Sequence, residues 1–259
     1  AELERMLRDD REGYEKFWKN FGRQLKLCAL NNYGAQKDKL QDLLLFYSST
    51  EKKLVTLGEY VSRMPESQKY IYFAAGESIE AIDHMPQTEV LKDSSTEILY
   101  FTDKTDEFIA DMFRTYQEKE FRSALDDEPE TTGEEKKEPD EAAQPALDFI
   151  RETLGAKVDG VKASTRLKTH PVCLTCGEGL TFEMEKYFTA VQPDLGLKAK
   201  RILEVNTNHP AFAALESARE TDPEKAKKYA EILYQQACLI AGLPIENPSD
   251  YTDLLCSLW

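Results

Sequence analysis

The sequence predicts a mixed α+β or α/β chain: a helical segment, a small αβα subdomain built on a βαβ unit, then a second mixed α/β domain ending in a helical bundle. Three observations lead there. Tyr14, Phe17, Trp18, Phe21, Leu25 and Cys28 recur at helical spacing. The short continuous apolar runs 70–75 and 98–101 suit strands of a parallel sheet covered on both faces. The stretch 126–142, DDEPETTGEEKKEPDEA, is dominated by acids and holds no large apolar residue, so it cannot bury enough surface to offset its ordering entropy. These features divide the chain into a first domain over 1–125, an acidic linker or loop over 126–143, and a second domain over 144–259.

The first domain opens on the aromatic helix, which breaks at Asn31-Asn32-Tyr33-Gly34, and Leu40, Leu43 and Leu44 then read as a further helical repeat. The run Tyr70-Ile71-Tyr72-Phe73-Ala74-Ala75 passes through Gly76 into the helical stretch GESIEAIDH and on to Ile98-Leu99-Tyr100-Phe101, for which a right-handed crossover is the simplest connection. Thr102 or Asp103 can cap a helix carrying Phe108, Ile109, Met112, Phe113 and Tyr116.

In the second domain a helix is expected near 145–154, a strand at Val158, Val161 and Ala163, and another at Ile202-Leu203-Glu204-Val205. Between these strands, Leu180, Met184, Tyr187, Phe188 and Val191 mark one face of a helix, with Glu183, Glu185 and Lys186 on the other side. Thr221-Asp222-Pro223-Glu224 gives cap, first-turn proline and acid for a long helix ending at Gly242. A last helix opens at Asn247-Pro248-Ser249-Asp250. It is too short to stand alone, so Tyr251, Leu254, Leu255 and Leu258 must dock on something. Pairing with the preceding helix, through Leu233, Ala237 and Ile240, leaves apolar surface that a two-fold copy would close into a four-helix dimerisation bundle.

Of the 259 residues, 41% are hydrophobic and 10% aromatic, which excludes wholesale disorder. The net charge of −15 argues against nucleic acid or an anionic membrane surface as partner, because either needs a basic stripe. Five scattered cysteines and the absence of a signal-like or membrane-length apolar segment point to a reducing, cytoplasmic setting. The opening AELERMLRDD starts in mid-helix and reads as part of a longer protein.

Candidates for chemistry are weak. Cys173-Leu174-Thr175-Cys176 has redox or zinc spacing, but zinc needs four ligands and no second pair exists, so two cysteines in a strand or its turn is the better reading. His84, His170 and His209 each lack a local nucleophile partner, and His209-Pro210 reads as the start of a helix. The strand-to-helix junction Ala74-Ala75-Gly76-Glu77-Ser78 has one glycine and an acid where a phosphate would sit, so no catalytic residue and no metal ligand is assigned.

The segment 57–73, LGEYVSRMPESQKYIYF, resembles the heat-shock protein 90 chaperone family, bacterial type, which carries Tyr-Val-x-Arg-Met, Glu-x-Gln-Lys and Ile-Tyr-Tyr in this order. Further matches keep register: YEKFWKNF at 14–21, Ser164-x-Arg166-Leu167, Glu183-Met184-Glu185, Leu203-Glu204-Val205-Asn206 with His209, and Glu246-Asn247-Pro248. The resemblance implies the small C-terminal part of the family's middle domain followed by its C-terminal dimerisation domain. It implies a non-catalytic piece of an ATP-dependent chaperone, with ATP and magnesium belonging to a domain not represented here. By position, Leu180, Met184, Tyr187 and Phe188 match an exposed client-binding helix, and Glu107, Phe108 and Asp111 match a middle-domain client patch. Phe108 stands where the bacterial family often has tryptophan and Asp111 where it has asparagine, which weakens that second match. Pro65 replaces a usual lysine and is expected to end the preceding helix early. The end at Ser257-Leu258-Trp259 lacks the acidic tail of eukaryotic cytosolic members and any retention tetrapeptide, which favours a bacterial cytoplasmic origin.

The resulting expectation is a homodimer that binds non-native client proteins, with other chaperones as further partners. Adaptable Met and aromatic contacts suit many clients. Two readings from other classes stand beside it: a structural dimerisation module without client affinity, and a small-molecule enzyme using the βαβ unit near His84.

Overall fold

The computed structural model describes residues 1–126, 142–177 and 179–258. Most of the acidic stretch expected to link the domains, residues 127–141, lies outside the described residues. The chain forms two compact units, one of Ala1–His84 with Leu91–Ala124, the other of Met85–Val90 with the described part of Leu125–Trp259.

In the first unit the helices α1 (Glu2–Asp9), α2 (Arg11–Gly34) and α3 (Lys37–Leu40) precede β1 (Leu45–Ser48), β2 (Leu54–Thr56), α4 (Leu57–Arg63), β3 (Tyr70–Ala75) and α5 (Ile79–Asp83). After α6 (Glu89–Asp93) come β4 (Leu99–Phe101), α7 (Asp106–Phe113), β5 (Thr115–Tyr116) and β6 (Lys119–Ser123). The helical geometry of α2 is broken at Asn31, Asn32 and Tyr33, where the sequence placed the break.

The sheet runs β2-β1-β4-β3-β6-β5. β3 pairs parallel with both β4 and β6, as the βαβ reading requires, while β1 is antiparallel to β2 and β4. The sheet is therefore mixed rather than parallel. Leu43 and Leu44 do not continue a helix: a 3-10 turn at Gln41–Leu43 leads straight into β1, and both leucines are buried.

Tyr60 explains why the stretch 57–73 reads so densely. Its buried hydroxyl donates to Glu97 O at 2.8 Å and accepts from Tyr72 N and Gln68 Nε2, each at 3.1 Å. Burial pushes its pKa up. Arg63 makes a forked ion pair with Glu97 at 2.6 and 3.0 Å. α4 stops at Arg63 because Met64, preceding Pro65, is driven to extended backbone. This segment is architecture: it supplies β3, a central strand paired on both sides.

The second unit contains α8 (Gln144–Leu154), β7 (Gly160–Ala163), β8 (Val172–Cys176), α9 (Phe182–Val191), β9 (Arg201–Val205), α10 (Pro210–Thr221), α11 (Pro223–Ile240) and α12 (Pro248–Cys256). Its sheet runs β7-β9-β8, with β7 parallel and β8 antiparallel to β9. One face of the sheet joins α8, α10 and α11 in a core that includes Val172, Leu174, Leu203, Ile150, Leu215 and Leu233. His209 caps α10, its Nδ1 accepting from Ala211 N at 3.1 Å.

Candidate functional site

The helix on which the sequence analysis placed client binding is α9, Phe182–Val191. Thr181 caps it, accepting from Met184 N at 3.1 Å, and Glu183 and Glu185 favour the positive end of the helix dipole. Glu185 is bound on two sides, by Arg201 Nη2 and by Ala199 N, both at 2.7 Å. Exposure along α9 changes along the axis more than around it. Phe182 and Met184 are buried, Tyr187 and Phe188 are half-buried, and Thr189, Ala190 and Val191 are exposed. The expectation of one exposed face over Leu180, Met184, Tyr187 and Phe188 is thus corrected at Met184, which is only 5% exposed, and at Leu180, which packs against the core. The first turn is inserted into the unit and the last turn emerges. Periodicity reports the angular position of a residue but not how deep a turn lies. The accessible apolar surface is Tyr187 and Phe188, edge to face at 5.5 Å, continued by Val191, Leu195 and Leu197.

On α7 the three expected residues separate in the same way. Glu107 is buried, Phe108 is half-buried and Asp111 is exposed. The helix start is fixed by a buried ion pair between Asp106 and Lys26, whose ammonium lies 5.5 Å from the Trp18 ring and 5.1 Å from Phe46. Burial pushes the Asp106 carboxyl up, against the pull of Lys26. Beyond Asp111 an open depression is lined by Ala110, Asp111, Arg114, Thr115, Glu120 and Phe121. Glu107 therefore does not share the accessible surface of Phe108 and Asp111.

The residues assigned to dimerisation divide by element. Leu233 and Ala237 of α11 belong to the unit's own core, whereas Ile240 is half-buried. On α12 no residue is buried; Tyr251, Leu254 and Leu255, and Leu258 just beyond the helix, are each half-buried.

The sequence missed a polar cluster on the sheet face opposite the core. Glu204, 1% exposed, receives Arg166 at 3.1 Å, Ser164 Oγ at 2.8 Å and Thr175 Oγ1 at 3.4 Å, with Lys162 at 3.5 Å. Arg166 also donates to Asp126 O at 2.6 Å. Cys173 Sγ stands 4.0 Å from Glu204, and burial raises its pKa well above the ordinary thiol range. Cys176 lies in the core on the other face of β8, so the two thiols cannot share a ligand, and Cys173 is the reverse of a reactive thiolate.

The profile of the family described as "Hsp90 protein" matches residues 2–258. The chain belongs to this family. Its similarity to curated Hsp90 relatives extends over the whole of the given sequence. The "Chaperone protein HtpG" of Clostridium acetobutylicum is 51% identical over 260 residues, covering 100% of this chain and 42% of that protein. The protein of the same name from Clostridium perfringens (strain 13 / Type A) is 50% identical over 258 residues, covering 99% of this chain and 41% of that protein. The one from Bacillus subtilis (strain 168) is 49% identical over 262 residues, covering 100% and 42%. The chain thus spans about two-fifths of the length of these relatives.

The strand-to-helix junction after β3 leads into the five-residue α5, whose first turn is already capped by Ser78 accepting from Ala81 N. Glu77 would repel a phosphate there. Among the described residues no cluster of three or more His, Cys, Asp or Glu is placed to hold a metal ion. Among the same residues no helix is long and apolar enough to cross a membrane.

Proposed function

We propose that this chain is the self-associating, client-holding part of an ATP-dependent cytoplasmic Hsp90 chaperone. It dimerises through α12 with the end of α11, and it holds non-native proteins on the outer turns of α9 and on Phe108 of α7. The observation that carries this reading is α12: a nine-residue helix with no buried residue, whose apolar side chains Tyr251, Leu254 and Leu255 are followed by Leu258 just beyond its end. A helix that short is marginal alone, and none of its residues is buried by its own chain. A second copy related by a two-fold axis offers the same apolar face in return.

The client reading rests on the chaperone-family relationship and on the apolar surface at Tyr187, Phe188 and Val191. Flexible aromatic and apolar contacts suit many partners, and two weak sites in one dimer raise avidity without new contacts. Nucleotide chemistry is assigned to the part of the parent protein outside this sequence, and other chaperones are proposed as further partners.

Sedimentation at micromolar concentration is expected to give a dimer, and Leu255→Asp a folded monomer. A wild-type monomer, or a dimer indifferent to Leu255→Asp, would sink the dimer assignment. Because Met184 is buried, client binding is tested with Tyr187→Glu and Phe188→Glu. These are expected to weaken suppression of the aggregation of a heat-denatured protein while leaving circular dichroism unchanged. Undiminished suppression would remove the face from α9.

A further inference from the structure

α11 ends in a Schellman turn. Gly242 adopts φ +65°, its N–H donates to Leu239 O at 3.0 Å, and Leu243 N–H reaches back to Cys238 O at 2.9 Å. These bonds leave the carbonyl of Ala241, at the negative end of the α11 dipole, to another donor, and Lys186 Nζ of α9 approaches it at 3.4 Å. The same ammonium is held at 2.6 Å by Glu183 on the preceding turn of α9. The positive φ is what requires glycine at 242, and a methyl group there would lie 2.8 Å from Lys186 Nζ, so Gly242→Ala would push the lysine tip aside. Beneath this contact Leu180 and Phe182 pack into the same core as Ala237, Cys238 and Leu243.

We propose that Lys186 is a positioning residue that couples the client face of α9 to the dimer face of α11 and α12. The proposal rests on the preceding functional reading and adds the link between its two surfaces. Lys186 directly precedes the aromatic pair Tyr187 and Phe188, and the turn at Gly242 sets the direction in which the chain leaves for α12. One ammonium shared by both elements ties their positions. A client chain that displaces the outer turns of α9 changes the contact at Ala241, and dimer pairing changes the affinity of α9 by the same factor, because coupling between two binding events is reciprocal.

The test measures the dimer dissociation constant of the full chain by sedimentation, with and without reduced carboxymethylated lactalbumin, a permanently non-native chain. The wild-type constant is expected to shift about fivefold or more with the probe, the lower bound of ordinary allosteric coupling. In Lys186→Gln and Gly242→Ala the shift is expected to fall below about twofold, although both variants still dimerise and bind probe. Lys186→Arg, which keeps the charge, is expected to retain it, a rescue that a purely structural role would not produce. A shift that survives in Lys186→Gln, one lost equally in Lys186→Arg, or none in a wild-type chain that both dimerises and binds probe overturns the coupling. A wild-type chain that fails to dimerise or to bind the probe at all overturns the functional reading itself, and the coupling with it.

Discussion

Glu204 shows how much one side chain can decide in the second unit. Its carboxylate is buried, and Arg166, Ser164, Thr175 and Lys162 surround it, so the charge is compensated from several sides. Removing one partner of such a pair strands the other without water. Glu204→Gln is therefore expected to lower the unfolding free energy of this unit by about 3–5 kcal/mol, whereas the double replacement Arg166→Met with Glu204→Leu loses much less. Urea denaturation of the two variants checks the ordering, and equal losses would contradict it. Asp83 offers a pH handle in the first unit. The Tyr100 hydroxyl, followed by Lys92 and Lys52, holds its carboxyl down at about 2, below the ordinary value of 3.8. A lowered folded-state pKa gives stability that is present above the unfolded value and lost as pH falls through the folded one. Asp83→Asn should thus be less stable than wild type at pH 6, with the gap narrowing as the pH drops from about 4 towards 2. Urea midpoints at pH 6 and pH 3 measure this, and a constant gap would refute it.

The helices α11 and α12 differ in what their apolar residues are committed to. Leu233 is already packed within its own unit, so Leu233→Ala is expected to cost about 2–5 kcal/mol at any chain concentration. Leu255 is half-buried on a helix with no buried residue, so the cost of Leu255→Ala should grow with chain concentration, as stability linked to assembly does. Thermal melts across a hundredfold dilution series separate the two, and parallel behaviour would place both leucines in the monomer core. This division was not legible in the sequence, where Leu233 and Leu255 lie on equally good helical faces. The βαβ unit was legible, because Tyr70–Ala75 and Leu99–Phe101 are continuous apolar runs of strand length. β1 was not, since Leu40, Leu43 and Leu44 also satisfy helical spacing, and β6 was not, since KEFRS lacks an apolar run. The Glu204 cluster draws its members from β7, β8, β9 and the loop at Ser164 and Arg166, so no local pattern announces it. On α9 the spacing identified the helix but could not show that Met184 lies in the inserted turn and Phe188 in the emerging one.

At the scale of the whole molecule the net charge of −15 bears on self-association. Two like-charged copies repel over distances longer than any contact, and that repulsion is screened by salt, with a Debye length of about 10 Å at 0.1 M. The face offered by Tyr251, Leu254, Leu255 and Leu258 is apolar, and burying it draws on the hydrophobic effect, which salt of ordinary type does not weaken. The two contributions respond to salt in the same sense: screening removes an opposing term and leaves the favourable one in place. Raising sodium chloride from about 0.02 M to about 0.5 M is therefore expected to tighten the dimer, most steeply below about 0.1 M where screening changes fastest. Sedimentation equilibrium across that range provides the measurement. A dimer that loosens with salt would mean that ion pairs rather than the α12 face hold the copies together, and the apolar assignment would have to move to another surface.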